Sequence, residues 1–133
     1  MRRAGGGSDE VSATDVALDR IRAVALPWPE VTEKPCYGMP AFYVAGKIFA
    51  RLHESPGVVV LWLGSQEERQ VLLDSEPEAF FITEHYRRSS SVLARVRLLP
   101  DDELRELLTD AWMLRAPKRL ALPEPSDSSD RPG

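Results

Sequence analysis

The residues from Cys36 to Leu63 (CYGMPAFYVAGKIFARLHESPGVVVLWL) leave this chain few folds to choose from. Their apolar runs are cut by two turn signals at hairpin spacing. Ala45-Gly46, between Val44 and Lys47, suits a tight two-residue hairpin because glycine takes positive φ freely. Glu54-Ser55-Pro56-Gly57 puts proline and glycine where turn chemistry prefers them. Three consecutive antiparallel strands follow from this punctuation. The third, Val58 to Leu63, lacks apolar–polar alternation, as expected of a central strand buried on both faces. Pro40 in the first strand cannot donate to a ladder, which makes that end an edge or a bulge.

Helices surround these strands. Ser12 with Asp15 three residues on marks a helix start, and Ala17, Leu18, Ile21, Val24 and Ala25 form one face until Pro27 and Pro29. Trp28 to Pro35, with prolines near both ends, reads as a loop. Ser65 with Glu68 opens a second helix running to about Asp74, and Pro77 bars its continuation. Residues 79–83 (AFFIT) suggest a short strand, and 85–91 a polar loop. Val92, Ala94, Val96 and Leu98 then alternate with Leu93, Arg95 and Arg97, the period of a half-buried strand. Asp101 is expected to cap a third helix with core face Leu104, Leu107, Leu108, Ala111 and Trp112, stopped by Pro117.

The order α-β-β-β-α-β-β-α predicts an α+β fold in two layers. An antiparallel sheet of four or five strands carries three helices mainly on one face. Residues 12–122 are expected to form a single domain. A leader at 1–11 and a tail at 123–133 have too little apolar surface to offset the entropy of ordering and are expected to be disordered.

Composition excludes several classes. Cys36 is the single cysteine, so no internal disulfide can form, which fits a reducing cytosol. The densest apolar run, Val58 to Leu63, is far short of the ~20 residues that span a membrane. No apolar segment follows Arg2 and Arg3 as a secretory signal requires, so a cytoplasmic protein without membrane contact is expected. The net charge of −4 is not that of a dedicated nucleic-acid binder. Its distribution is uneven, however. Residues 34–53 carry Lys34, Lys47 and Arg51, and residues 85–100 carry Arg87, Arg88, Arg95 and Arg97, with no acid in either segment. Residues 54–84 hold seven acids against Arg69 alone.

No residue set has the pattern of a catalytic centre. Cys36, His53 and His85 lack metal-ligand spacing, and nothing marks a base that would activate the thiol. Glu67-Glu68 and Asp101-Asp102-Glu103 sit at helix starts, where the macrodipole favours negative charge. Gly5-Gly6-Gly7 lacks the Lys-Ser/Thr of a phosphate loop. Neither enzyme activity, cofactor nor metal is expected.

The candidate surface is the sheet face away from the helices. Arg95 and Arg97 alternate with its buried partners, and Lys47, Phe49, Arg51 and His53 share one face of the second strand. The hairpin register decides which face of that strand is buried. Lys47, Arg51, Arg87, Arg88, Arg95 and Arg97 are the expected phosphate contacts, with Phe49 and Trp62 either stacking on bases or part of the core. The loop His85 to Ser91 is either a wing that meets a phosphate backbone or a mobile, solvated connection. Against these stand plainer readings. The arginines solvate an open face and pair with helix acids, or Phe49 and Trp62 belong to a dimer or partner surface. Lys118 and Arg119 complement the dipole of the last helix.

Tyr37-Gly38-Met39-Pro40-Ala41-Phe42, continuing through Gly46 to Ala50, resembles the MmcQ/YjbR-like family. The likeness extends through Pro77 to Phe81, His85-Tyr86, Val92 to Arg95, and Asp102 to Lys118, covering roughly residues 14–120. Cys36 stands where members commonly carry His, so a role of that His does not transfer. The resemblance implies a compact sheet with helices on one side, described as a double-wing DNA-binding fold similar to type III secretion chaperones, and no agreed enzyme activity. The expectation is therefore a non-enzymatic binding module that takes DNA through a basic sheet face and loop with little sequence specificity. The alternative is a protein-binding, chaperone-like or dimerisation module on that face, with a protein partner or a second copy in place of DNA. Cations crowded on the face favour DNA; an apolar face with arginines tied to acids favours protein.

Overall fold

The computed structural model describes residues 12–122; the expected leader at 1–11 and tail at 123–133 lie outside the described residues. Helix α1 spans Ala13–Ala25 and starts where the Ser12 hydroxyl accepts the Asp15 N–H at 3.0 Å. It is followed by β1 (Val31–Cys36), β2 (Met39–Val44), β3 (Lys47–Leu52) and β4 (Val58–Leu61). Helix α2 (Gln66–Ser75), β5 (Phe80–Phe81), β6 (Val92–Arg95) and α3 (Asp101–Arg115) complete the order, with single 3-10 turns at Glu84–Tyr86 and Val96–Leu98. The strands form one six-stranded sheet in the order β1-β2-β3-β4-β6-β5, antiparallel throughout.

The extra strand is β1, in the segment whose prolines suggested a loop. Tyr37 and Gly38, at φ 52° and 80°, close a two-residue hairpin between Cys36 and Met39. In such a hairpin the closing pair exchanges hydrogen bonds and alternate pairs do not. Pro35 therefore sits where its missing N–H would have faced the open edge, so the ladder loses nothing. Pro40, opposite Pro35, lies one residue before β2 begins to pair with β3 at Ala41 and Arg51.

A bulge in β3 decides which side chains face where. Phe42 pairs with Ala50 and Tyr43 with Ile48, leaving Phe49 as the extra residue. Residues paired across strands share a face. Lys47, opposite Val44, and the fully buried Phe49 and Ala50 thus lie on the helix side, and Arg51 on the other. Strict alternation would have put Lys47, Phe49 and Arg51 together. Bulging frees backbone groups, and the Arg115 guanidinium of α3 takes the Ile48 carbonyl at 2.9 Å.

Between sheet and helices lies the main core. Leu18 and Ile21 of α1, Leu104, Leu108 and Trp112 of α3, and Phe42, Leu52, Val59, Leu61 and Ala94 of the sheet meet there, with Leu72 and Leu73 of α2 at its margin. Trp28 packs edge-on against Trp112 with ring centroids 6.4 Å apart. All five residues expected on the core face of α3 are buried. Asp101 does not cap that helix, because Pro100 holds the N-cap position and Asp101 is already helical. Its carboxylate instead takes Arg20 at 2.7 Å. No helix of the described residues is long and apolar enough to cross a membrane.

Candidate nucleic-acid interface

On the sheet face away from the helices, the register places Lys34, Ala41, Arg51, Val60, Leu93 and Phe81 in one cross-strand row. Its centre is apolar. Val58, Val60 and Leu93 form a second buried cluster against which Trp62, Phe81 and Tyr86 pack. The run Val58 to Leu61 is thus buried on both faces, as its lack of alternation requires.

This face is covered by the chain's own loop. Residues 82–91 cross it with Tyr86 inserted, its ring 4.7 Å from that of His85 and 6.3 Å from that of His53, centroid to centroid. Arg69 of α2 holds the loop from inside. Its Nη1 donates to the carbonyls of Tyr86, Ser89 and Ser91 at 3.1, 2.7 and 3.1 Å, and its Nη2 to that of Arg87 at 3.2 Å. Gln66 adds its amide to the carbonyls of Arg87, Arg88 and Ser89, and the Ser90 hydroxyl donates to the Leu63 carbonyl at 2.8 Å. A loop whose carbonyls are drawn inward in this way is an ordered cover, not a solvated connection.

The six expected phosphate contacts do not form one patch. Arg51 is 7% exposed and fully engaged. It donates to the Cys36 carbonyl at 3.1 Å, to the Tyr86 hydroxyl at 3.4 Å and to the Glu54 carboxylate at 2.6 Å. Glu54's own backbone N–H, and then this guanidinium, hold its carboxyl below the usual carboxylate range. Lys47 is exposed but, across the bulge, on the opposite side of the sheet from Arg51. Arg97 leaves the sheet altogether, because β6 ends at Arg95 and the chain turns through Val96–Leu98, where the Val96 N–H donates to the Gly57 carbonyl. Phe49 is fully buried in the main core and has no face to offer a base, whereas Trp62 stays half-buried on the outer side.

Four arginines remain at the surface around the loop and its strand. Arg87 pairs with Glu84 at 3.0 Å while 65% of its side chain stays exposed. Arg88 and Arg97 are exposed and make neither a side-chain hydrogen bond nor an ion pair among the described residues. Arg95 donates to the Glu78 carbonyl at 2.8 Å and lies 4.3 Å from the centroid of the Phe81 ring. Among the described residues no carboxylate meets it.

Sequence reasoning passed over Arg69, which organises the loop. Its signal was its phase: Arg69, Leu72, Leu73 and Glu76 recur at helical spacing, so an arginine stood on the inward face of α2. Among the described residues, no group of three or more His, Cys, Asp or Glu is placed to hold a metal ion, and Cys36 is a free thiol.

Comparison with known proteins gives a consistent result. A family model described as YjbR matches residues 26–114. Uncharacterized protein Rv2570 of Mycobacterium tuberculosis and Uncharacterized protein Mb2600 of Mycobacterium bovis are each 32% identical over 66 residues, 50% of this chain and 51% of theirs. The chain thus spans about half the length of the curated relatives it matches. The crystal structure of Deinococcus radiodurans protein DR2400, with domain DUF419, is similar at a TM-score of 0.63 and 18% identity, over 78% of this chain and 81% of that one. At that identity the likeness is one of fold.

Proposed function

The chain belongs to the YjbR family, and from that premise we propose a non-enzymatic binding module that contacts DNA through its phosphates with little sequence preference. One observation carries the reading. The segment 85–97 brings Arg87, Arg88, Arg95 and Arg97 to the surface on a loop and strand end held rigidly from within, and it contains no acid of its own. Guanidinium groups exposed on a preorganised frame suit phosphate oxygens, since little side-chain and loop freedom is left to lose on contact. Among the described residues no helix presents a free face of base-reading side chains beside these arginines, which favours contacts to the backbone, and those carry no sequence information directly.

A second reading, a protein-binding or self-associating module on the same face, has its own support. Half-buried Trp62, Phe81 and Tyr86 offer apolar surface where they pack over Val60 and Leu93, and Arg51 and Arg87 are tied to Glu54 and Glu84. The two readings separate in one experiment. Anisotropy of labelled duplex and single-stranded DNA is titrated with protein and then with salt, beside a folded variant carrying Arg87, Arg88, Arg95 and Arg97→Ser. For the DNA reading, log affinity falls with log salt by ~0.9 per phosphate contact on duplex, and the variant flattens that slope. No binding at low salt with micromolar protein ends it; a concentration-dependent rise in mass by light scattering then supports self-association.

A further inference from the structure

A groove of about 550 Å³ opens between the start of α1, the turn before β4 and the exit of β6. Arg20, Arg95 and Arg97 line it together with Phe81, and among the described residues no acidic side chain does. Gly57 closes its floor. At φ 72°, a Cβ there would come within 3.0 Å of the Ala13 Cβ, so only glycine lets α1 approach so closely.

The three guanidinium groups differ in what holds them. Arg20 is fixed by the carbonyls of Val96 and Leu99 at 2.8 and 2.7 Å and by Asp101 at 2.7 Å. That carboxylate is 95% exposed, so solvent screens the pair. Arg95 is oriented by the Glu78 carbonyl and the Phe81 ring, which leave its charge uncancelled and its other N–H groups without a partner among the described residues. Arg97 reaches the groove from the 3-10 turn with no partner among the described residues. Of the described carboxylates nearby, Asp15 belongs to the first turn of α1 without lining the groove, and Asp101 holds Arg20.

We infer that this groove is the seat of one phosphate group of the bound polynucleotide, gripped by Arg95 and Arg97 with Arg20 as a fixed positive wall. The inference rests on the DNA reading above and gives it a location. Forked donors on Arg95 and Arg97 match phosphate oxygens, and stacking on Phe81 keeps the Arg95 fork in one plane. Val16 and Phe81 supply apolar walls that limit water around the ion pair and strengthen it.

The test uses the full chain and a short single-stranded oligonucleotide, with inorganic phosphate in a parallel titration. Arginine side-chain Nε–H resonances are followed by NMR, and affinity by anisotropy. Arg97→Glu, a change at an exposed side chain, should weaken oligonucleotide binding at least tenfold. Arg105→Glu on α3, an equal change in net charge, should weaken it less than threefold. Arg95→Lys, which keeps the charge but loses the fork, should fall between them. The Arg95 and Arg97 resonances should move on saturation with oligonucleotide. If oligonucleotide binds with wild-type affinity to Arg97→Glu and leaves those resonances still, the groove assignment is wrong while the DNA reading survives. If oligonucleotide does not bind, both fail for polynucleotide, and shifts of the same resonances with inorganic phosphate alone would reassign the groove to a free phosphate.

Discussion

A guanidinium that is 6% exposed is stable only where oxygen atoms replace its water, and Arg69 has the carbonyls of Tyr86, Arg87, Ser89 and Ser91. Removing it takes a donor from each of those carbonyls, leaves that of Ser91 dependent on water, and opens a void beside α2, while Gln66 still reaches those of Arg87 and Ser89, and Ser89 that of Tyr86. Arg69→Ala is expected to lower unfolding free energy by about 2–4 kcal/mol in a urea titration. Arg69→Lys should recover only part of the loss, because one ammonium cannot span oxygens that a planar fork reaches. Equal stability of the lysine variant and wild type would show that charge alone, not the fork, holds the loop. The same physics explains why Arg51 is unavailable to phosphate: it is buried, and each of its three nitrogens already has a partner in Cys36, Tyr86 or Glu54.

Hairpins are the elements in which backbone strain is visible. Ala45 at φ 50° and Gly46 at φ 86° form the turn between β2 and β3, and the Ala45 N–H is held by the Glu30 carbonyl at 3.0 Å. A non-glycine residue in the left-handed region costs roughly 1–2 kcal/mol, and glycine returns about 0.5–1 kcal/mol of that through its looser unfolded chain. Ala45→Gly should therefore raise stability slightly, by about 0.5 kcal/mol, and Ala45→Asn by a similar or larger amount, because asparagine tolerates this region without glycine's entropy. Thermal melts check this: a lower Tm for Ala45→Asn would mean that the Glu30 contact has removed the strain. Tyr37, 91% exposed at φ 52° in the preceding hairpin, offers the same substitution.

Across the whole molecule, Glu76 at the end of α2 meets the first turns of α3, and acids come together there. Burial, and then hydrogen bonding to Glu76, push the Glu103 carboxyl up to about 7, with Asp102 and Glu106 adding repulsion. Because the folded chain holds this proton more tightly than the unfolded chain does, the site stabilises the fold fully below the unfolded carboxylate pKa of ~4.3. That contribution is lost as pH rises through about 7. Glu103→Gln keeps a neutral donor for Glu76 and removes the titration. Its stability should match wild type near pH 4.5, exceed it near pH 8, and show a flatter profile between. Parallel profiles for the two proteins across that window would rule the site out as a source of pH dependence.

The amino-acid sequence determined what local rules govern. Helix starts at Ser12 and Ser65, the core face of α3, the turn at Ala45-Gly46 and the doubly buried run Val58 to Leu61 all follow from capping, period and turn chemistry, which act within a few residues. The resemblance through Tyr37 to Phe42 and Asp102 to Lys118 also placed the chain in its family. Tertiary structure alone decided the composition of the candidate surface. One inserted residue at Phe49 shifts the phase of β3 and sends Lys47 and Arg51 to opposite sides. Pro35 hides in β1 because its neighbour lies on one side only. Arg69 is consumed by carbonyls distant in sequence, and Arg51 by the Cys36 carbonyl, the Tyr86 hydroxyl and Glu54, while Arg97 is released by a turn. A charged residue is read from sequence as a charge, but whether that charge remains free depends on oxygens that only folding brings near.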